Sequence, residues 1–518
     1  MRSTFQGLET AKRGMFAQQT ALSVTNNNIA NANTPGYSRQ RVNFEQTNPY
    51  PPSSFNRPDV TGQLGTGVEA GSIQRVREAF LDIQYRGENS KVGYWSTRAD
   101  AMQQMEEIMN EPSESGLAKT MDQFWSSLQD LSVDPTNQGA RSVVRQRGIA
   151  LAETFNYLST SLSNIQTDLK NEMEVTEQDA NSLLRQIEGI NKQISEVEPH
   201  GYLPNDLYDR RDVLIDELSK LASVKVEYSG SGGNPSSIAE GLATVKLLDE
   251  SGSELTTLVS PSGRKDINIQ YDGDAVSGIS VGGKVISAAE FSSPGKLQGL
   301  VEAYGFESEA GDVEGLYPNM LAELDNLAYT FAQAFNTVHG DGMSPNEITN
   351  DQTNEDIRFF ADASSDDGAL GDKAGFASRM TIDDQIRDSL DNIAHAIPNE
   401  NTGEAEMGDS SNVLALAEVI KNDLAYSEDG STSFSNYYES VIGAMGVNAQ
   451  EANRMTENGE QLRSAVEGRR QSVSSVSLDE EMTNMIKFQQ AYNSSARMIT
   501  TVDEMLERII NNMGLVGR

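Results

Sequence analysis

The chain has 518 residues, with 40 Lys and Arg against 77 Asp and Glu, a formal net charge of −37, and no cysteine. A surface of that sign repels phosphate backbones, which excludes nucleic-acid binding as a general role. Without thiols there are no disulfides, thiolate metal sites or cysteine nucleophiles. The charge is unevenly placed: residues 1–100 hold 11 basic and 8 acidic groups, residues 461–518 hold 7 of each, and the other 22 basic and 62 acidic groups lie between them. The acidity therefore belongs to the middle of the chain, and the two ends are close to neutral.

Hydrophobic residues make up 37% and aromatics 7%, a lean composition that suits long, partly exposed helices. The first twenty residues lack the apolar run of a secretory leader, and no stretch of about 18 apolar residues occurs. The expectation is a chain with no cleaved leader and no membrane insertion.

At the start, Leu8, Met15, Leu22 and Ile29 recur every seven residues, with Phe5, Ala11, Ala21 and Val24 widening the face. A sustained seven-residue repeat marks a helix that needs a partner along its length. That helix must stop near residues 33–36, because Pro35 disfavours helix at Thr34 and Gly36 punctuates a turn. The proline-bearing stretch that follows reads as extended or looped, and the alternation of glycines and β-branched residues over 63–77 reads as a short hairpin.

A helical block spans residues 80–221. In its strongest part, apolar residues step by four and three from Leu151 to Val197, with Thr176 the one polar member, which predicts a rod of roughly 70 Å. Pro199, Gly201 and Pro204 end it, and a shorter helix over 207–221 turns back. Residues 223–293 alternate apolar and polar side chains between Gly/Ser clusters, the pattern of an antiparallel β domain. Helix is expected again over 295–339, then loop with few strands over 340–409, then helices over 412–426 and 434–475. The last helix repeats the opening pattern with Leu478, Met485, Tyr492, Ile499, Leu506 and Met513, supported by Met482 and Ile509.

The expected fold is thus mainly α, elongated and multi-domain, with an inserted β domain. Terminal segments 1–36 and 476–518 pair as a coiled coil. Segments 37–222, 295–339 and 410–475 form a helical rod domain with a small N-terminal β hairpin. Residues 223–294 form the β insert, and 340–409 a loop and β region. The apolar stripes assign an assembly interface to Phe5, Leu8, Met15, Leu22, Ile29, Leu478, Met482, Met485, Tyr492, Ile499, Leu506 and Met513.

Sites for chemistry read poorly. His200, His339 and His395 are scattered, none in a ligand spacing. Residues 278–284 match GxxxxGK, but Val285 has no hydroxyl for a metal and the flanks read as a hairpin. Residues 362–368 hint at a calcium loop, yet the glycine comes one place late and the twelfth position holds no glutamate. Met102, Met105 and Met109 read as core or as adaptable packing. The expectation is no catalytic residue, no cofactor and no metal: a protein that associates rather than catalyses.

Two segments carry a family resemblance. NNIANANTPGYSRQR, residues 27–41, resembles the N-terminal signature of the rod, hook and hook-associated proteins, the axial family of the bacterial flagellum. It contains Asn27, Asn28, Asn31, Asn33, Pro35, Gly36, Tyr37, Arg39 and Gln40. Residues 478–506, with Phe488, Gln489 and Tyr492, are similar to that family's C-terminal signature. Tyr37 to Gln40 and the interior stretches 205–226 and 327–342 resemble its hook-associated protein 1 branch. The resemblance implies a structural role where hook meets filament, and assembly with copies of itself into a ring or helical layer. It implies contacts with hook protein and hook-associated protein 3, help from a flagellar export chaperone, and an extracellular place reached without a cleaved signal peptide. A hook or distal-rod protein is the alternative within this class. An exported enzyme on a flagellar scaffold is the alternative outside it, and no ligand or triad spacing supports that one.

Overall fold

The computed structural model describes residues 4–51, 62–109, 116–350, 357–365, 368–399, 403–427 and 430–512. Helix α1 (Thr4–Ala30) leads through a turn to strands β1 (Gln40–Gln46) and β2 (Val68–Arg75). Then come α2 (Ala79–Met109), α3 (Leu117–Val133), the 60-residue α4 (Gln138–Val197) and α5 (Asn205–Leu221). Strands β3 (Val224–Ser229), β4 (Leu242–Leu248), β5 (Glu254–Ser260), β6 (Gly263–Arg264), β7 (Ile267–Asp272), β8 (Ala275–Val281) and β9 (Lys284–Ser287) follow. Beyond them lie α6 (Lys296–Tyr304), β10 (Phe306–Glu307), β11 (Val313–Glu314), α7 (Leu316–Gly340), α8 (Pro345–Asn350) and β12 (Phe360–Asp362). Next are α9 (Phe376–Arg379), β13 (Met380–Ile382), α10 (Asp384–Asp388), α11 (Ser411–Val419), β14 (Leu424–Ser427) and β15 (Gly430–Thr432). Two long helices, α12 (Phe434–Ser474) and α13 (Leu478–Asn512), close the described chain. Among the described residues no helix is long and apolar enough to cross a membrane.

The chain divides into two units, Met1–Ser90 with Ala180–Asp266 and Gly459–Arg518, and Lys91–Asp179 with Ile267–Asn458. Helices α2, α4 and α12 contribute residues to both. In the first unit α1 packs along α13 and against the β1–β2 pair, and β3 to β6 form an antiparallel sheet. The hairpin expected over residues 63–77 is instead a long-range pair: β2 runs antiparallel to β1, Gln40 opposite Arg75. The alternating pattern marked a strand correctly, but its partner is the stretch read as extended, since pairing needs a second row of backbone donors and not a nearby one.

The expected single β insert is two sheets. Strands β3 to β6 belong to the first unit, while β7, β8 and β9 join β10 and β11 in the second, with one parallel bridge from Phe306 to Val276. The GxxxxGK stretch is the β8–β9 turn, carried by Gly282 and Gly283 at φ +57° and +91°. The helix expected over 295–339 breaks in the middle. Gly305 and Gly315 have φ +125° and +149°, and a Cβ on Gly315 would sit 2.8 Å from the Gly305 Cα, so the two backbones touch where only glycine fits. Residues 420–426, expected as helix, turn into β14.

Helix α4 keeps the predicted stripe through Leu151, Phe155, Leu158, Leu162, Leu169, Met173, Thr176 and Ala180, all buried. Beyond Ala180 the buried line keeps Ile187 and Ile194 of that series, while Leu184, Asn191 and, just past the helix end, Glu198 are buried in place of Leu183, Ile190 and Val197. Asn191 there donates to the Ala243 carbonyl at 2.8 Å and accepts from the Ala243 amide at 3.1 Å, so its amide bonds the start of β4, which β5 does not reach. Met102, Met105 and Met109 are buried core.

The second unit is organised by phenylalanines. Phe124 of α3 lies 5.4 Å from Phe335 and 5.8 Å from Phe359, Phe359 lies 4.9 Å from Phe360, and Phe331 lies 5.8 Å from Phe434 of α12. Asn336 of α7 fastens this cluster by accepting from the Phe359 and Phe360 amides and donating to the Phe360 carbonyl at 2.7 Å. The stretch 340–409 is therefore more than loop: it supplies core side chains. Phe335→Ala should cost about 3–5 kcal/mol by leaving an unfilled cavity, read as a lower denaturant midpoint; an unchanged midpoint would refute this account of the core.

Candidate assembly interface

Helices α1 and α13 run antiparallel. Asn28 reaches Glu481 at 3.2 Å, and fourteen residues back along α1 a Cβ on Gly14 would lie 3.3 Å from Ser495 Oγ, fourteen residues on along α13. On α1 the most buried line is Ala17, Ala21, Val24, Thr25 and Asn28. On α13 the shielded positions follow a four-three rhythm: Glu481, Met485, Phe488, Tyr492, Ser495, Ile499, Val502 and Leu506. Small residues on one helix face larger ones on the other, which lets the backbones approach closely.

The predicted interface residues fall into three groups. Leu8, Met15, Leu22, Ile29, Met485, Tyr492, Ile499 and Leu506 are partly buried, whereas Phe5, Leu478 and Met482 are exposed, at 64%, 50% and 56%. Met513 lies outside the described residues. The repeat of α1 was legible, but its deepest burial falls one position round, on the alanines, because α1 also covers the β1–β2 pair.

The signature turn is a polar knot. Asn28, 1% exposed, donates to the Gln40 carbonyl at 2.8 Å and to Glu481, and its Oδ1 accepts from the Tyr37 hydroxyl at 2.8 Å and the Gln40 amide at 3.0 Å. Every hydrogen-bonding position of that buried amide is filled. Arg39 donates to Glu481 at 2.8 Å and to Glu480 at 2.7 Å, and its backbone amide donates to the Ser474 carbonyl at 2.8 Å. Burial, with the carboxylates of Asp209 and Glu481, pushes the Tyr37 phenol up to about 12, so it keeps the proton it donates. Asn31 donates to Asn27 at 2.9 Å, and Thr34 donates to Asn31 at 3.2 Å. Gly36 has φ +77°, and a Cβ there would meet Val213 at 2.2 Å, so both conformation and contact demand glycine. Asn33, Pro35 and Gln489 are exposed, while Phe488 stacks edge-on against Phe44 of β1 at 6.0 Å. The turn also walls a groove of about 700 Å³ with α4 and α5, lined by Asn27, Tyr37, Ile190 and Val213 among others.

Sequence reasoning missed what anchors this turn. The Ser38 amide donates to Asp209 of α5, the first acid of a buried charge lattice. Arg75 pairs with Asp209 at 2.7 Å, Asp212 at 3.0 Å and Glu240, and Arg77 pairs with Asp82 at 2.7 Å and Asp212 at 3.1 Å. Arg86 joins Asp212 at 3.3 Å to Asp216 at 2.7 Å, and Arg470 of α12 joins Asp216 at 2.6 Å to Asp82 at 3.2 Å. Arg75 and Arg211 each lie 5.2 Å from the Tyr208 ring centroid. Burial alone would raise the Asp212 carboxyl, but Arg77, Arg75 and Arg86 outweigh it and hold the group well below the usual carboxylate range.

His339 is hydrogen-bonded to the Ile357 carbonyl at 2.7 Å and accepts from the Ala394 amide at 3.0 Å, His395 contacts the Met407 carbonyl at 3.0 Å, and His200 is exposed. Burial, with Arg141 nearby, lowers the His395 pKa. Among the described residues no group of three or more His, Asp or Glu could hold a metal ion.

Similarity to known proteins supplies the class, an axial protein of the bacterial flagellum. Residues 8–37 match the family model described as flagella basal body rod protein, and residues 469–513 that of the flagellar basal body rod FlgEFG protein C-terminal. Residues 102–357 match the flagellar hook-associated protein FlgK helical domain. Flagellar hook-associated protein 1 of Bacillus subtilis (strain 168) is 45% identical over 523 residues, covering 100% of both chains. Its namesake in Escherichia coli (strain K12) is 23% identical over 566 residues, 97% of this chain and 99% of that one. The flagellar hook junction protein FlgK from Burkholderia pseudomallei shares the fold, with TM-score 0.57 and 15% identity over 77% of this chain and 100% of that one. The chain belongs to the flagellar hook-associated protein 1 family, whose members are structural proteins of the flagellum.

The depressed carboxyl of Asp212 gives a pH test. Its stabilisation is complete above the unfolded carboxylate value, about 3.9, and is lost as pH falls toward the lower folded value. The first unit should weaken progressively below about pH 4. Asp212→Asn should cost about 3–5 kcal/mol at neutral pH by stranding buried guanidinium groups, and should flatten that acid slope by roughly one proton. Melts across pH that coincide for parent and variant would contradict the lattice's role.

Proposed function

We propose that the chain forms the layer that joins the flagellar hook to the filament, polymerising with its own copies through the paired terminal helices. The observation that carries this reading is the meeting of the two chain ends at Asn28, Arg39 and Glu481, which turns two segments at opposite ends of the sequence into one unit of assembly. The full-length kinship with hook-associated protein 1 supports it over a hook or distal-rod protein, since the rod-type models match only residues 8–37 and 469–513.

In this reading segments 1–36 and 476–518 are the axial domain, and the exposed apolar residues Phe5, Leu478 and Met482 face neighbouring copies. Hook protein lies on one side of the layer and hook-associated protein 3 on the other. The chain reaches the cell exterior through the flagellar export channel, accompanied by an export chaperone. Its role is mechanical rather than enzymatic.

Cells lacking the gene should carry hooks without filaments and shed flagellin into the medium, seen by electron microscopy and by blotting; normal filaments would overturn the reading. Replacing Leu22 and Ile499 together by Asp should abolish polymerisation, measured by sedimentation, while the second unit melts as before. Polymers formed by that double variant would refute the paired-end mechanism.

A further inference from the structure

The pairing of α1 with α13 poses a problem that the apolar seam does not solve. The seam of α1 is lined mostly by small residues, half-buried Gly14 with buried Ala17, Ala21, Val24 and Thr25, and the facing line of α13 repeats every seven residues through Met485, Tyr492, Ile499 and Leu506. Sliding one helix past the other by a heptad sets alanines against the same kinds of side chain, so area burial discriminates weakly between registers. One layer of the seam is different in kind. Glu481, 2% exposed, accepts from Asn28 and Arg39, and Asn28 is itself buried and fully bonded.

We propose that this polar layer, Asn28 with Arg39 and Glu481, sets the register in which the two chain ends pair. The inference rests on the paired-end reading above and adds what makes the pairing unique. A slip of one heptad would bring Asn28 opposite Phe488 in one direction and carry it past the start of α13 at Leu478 in the other. Glu481 would then lose both donors, and a buried carboxylate without partners is far costlier than a mismatched methyl group. Asn28 keeps its bonds to Tyr37 and Gln40 in either case, because they lie on the same stretch of chain. The discrimination therefore sits on Glu481. A single polar position that fixes register at some cost in stability is a known device of helix pairs.

The lack of cysteine makes the register directly readable. A Gly14→Cys/Ser495→Cys chain should oxidise to a disulfide, since the Gly14 Cβ position lies 3.3 Å from Ser495 Oγ. Ala21→Cys/Ser495→Cys and Gly7→Cys/Ser495→Cys report one-heptad slips in the two directions. In the native register their thiols are offset by about 10 Å along the axis, beyond disulfide reach. In the full-length chain with Asn28 and Glu481 otherwise intact, only the first pair should cross-link. With Asn28→Leu and Glu481→Leu added, a slip reporter should rise from background to within about twofold of the in-register pair, as seams of near-equal energy require. Glu481→Ser, a smaller change, should raise the same reporter to a lesser extent.

Slip reporters that stay at background in both variants, while the first pair still cross-links, would overturn the register proposal and leave the paired-end reading standing. Failure of the first pair in the parent chain would overturn both.

Discussion

Glu481 is a carboxylate that water does not reach, and such a group can be buried only where donors are already waiting for it. Those donors, Asn28 and Arg39, lie more than four hundred residues away on the other end of the chain. Their arrival fixes the rest of the axial unit in turn. Arg39 also holds the end of α12 through the Ser474 carbonyl, and Asn28 holds the start of β1 through both backbone groups of Gln40. Glu481 and its two donors together thus link α1, the signature turn, β1, α12 and α13. Four asparagines, a proline and a glycine crowd into residues 27–36 because that turn has to supply side-chain hydrogen bonds, end a helix and pass within van der Waals contact of Val213.

The uneven charge of the sequence has a structural counterpart. Arg75, Arg77, Arg86 and Arg470 come from the near-neutral ends, and Asp209, Asp212, Asp216 and Glu240 come from the acidic middle. Part of the acidity of the middle, Asp209 and Asp212, is buried, and it is tolerable there because the arginines of the ends neutralise it. Arginine suits the task, since its planar fork can hold two carboxylates at once, as Arg86 holds Asp212 and Asp216. Such a lattice gives orientation more than stability, because desolvation offsets much of the Coulomb attraction.

Long, strongly periodic elements were legible from the residues alone. The α4 stripe, the stop at Pro199 to Pro204, the return helix α5 and the terminal helices all follow from apolar spacing and breakers, which act locally. The departures have non-local causes. The partner of β2 is β1 rather than its neighbour in sequence, and the split of the β segment into two sheets depends on what each sheet packs against. The buried line of α1 moved to its alanines because α1 also packs on the β1–β2 pair. Asn191 sits on the buried stripe of α4, where an apolar pattern has no reason to place it, and its two bonds to Ala243 explain it. Phe359 and Phe360 could have been noticed as adjacent aromatics in an acidic, glycine-rich stretch. The signature motif was recognisable as a motif, but its meaning, a fully bonded asparagine against a buried glutamate, needed the geometry.

The account turns a family membership into a physical statement: neither terminal helix can satisfy its buried line alone, and the two are joined by one polar layer. The most direct measurement is amide hydrogen exchange in α1, compared between the full-length chain and a chain ended after Ser477. Loss of protection from Thr10 through Asn28 on removing α13, with α7 and the phenylalanine core unchanged, is what mutual dependence predicts. An α1 that stays equally protected without α13 would contradict it.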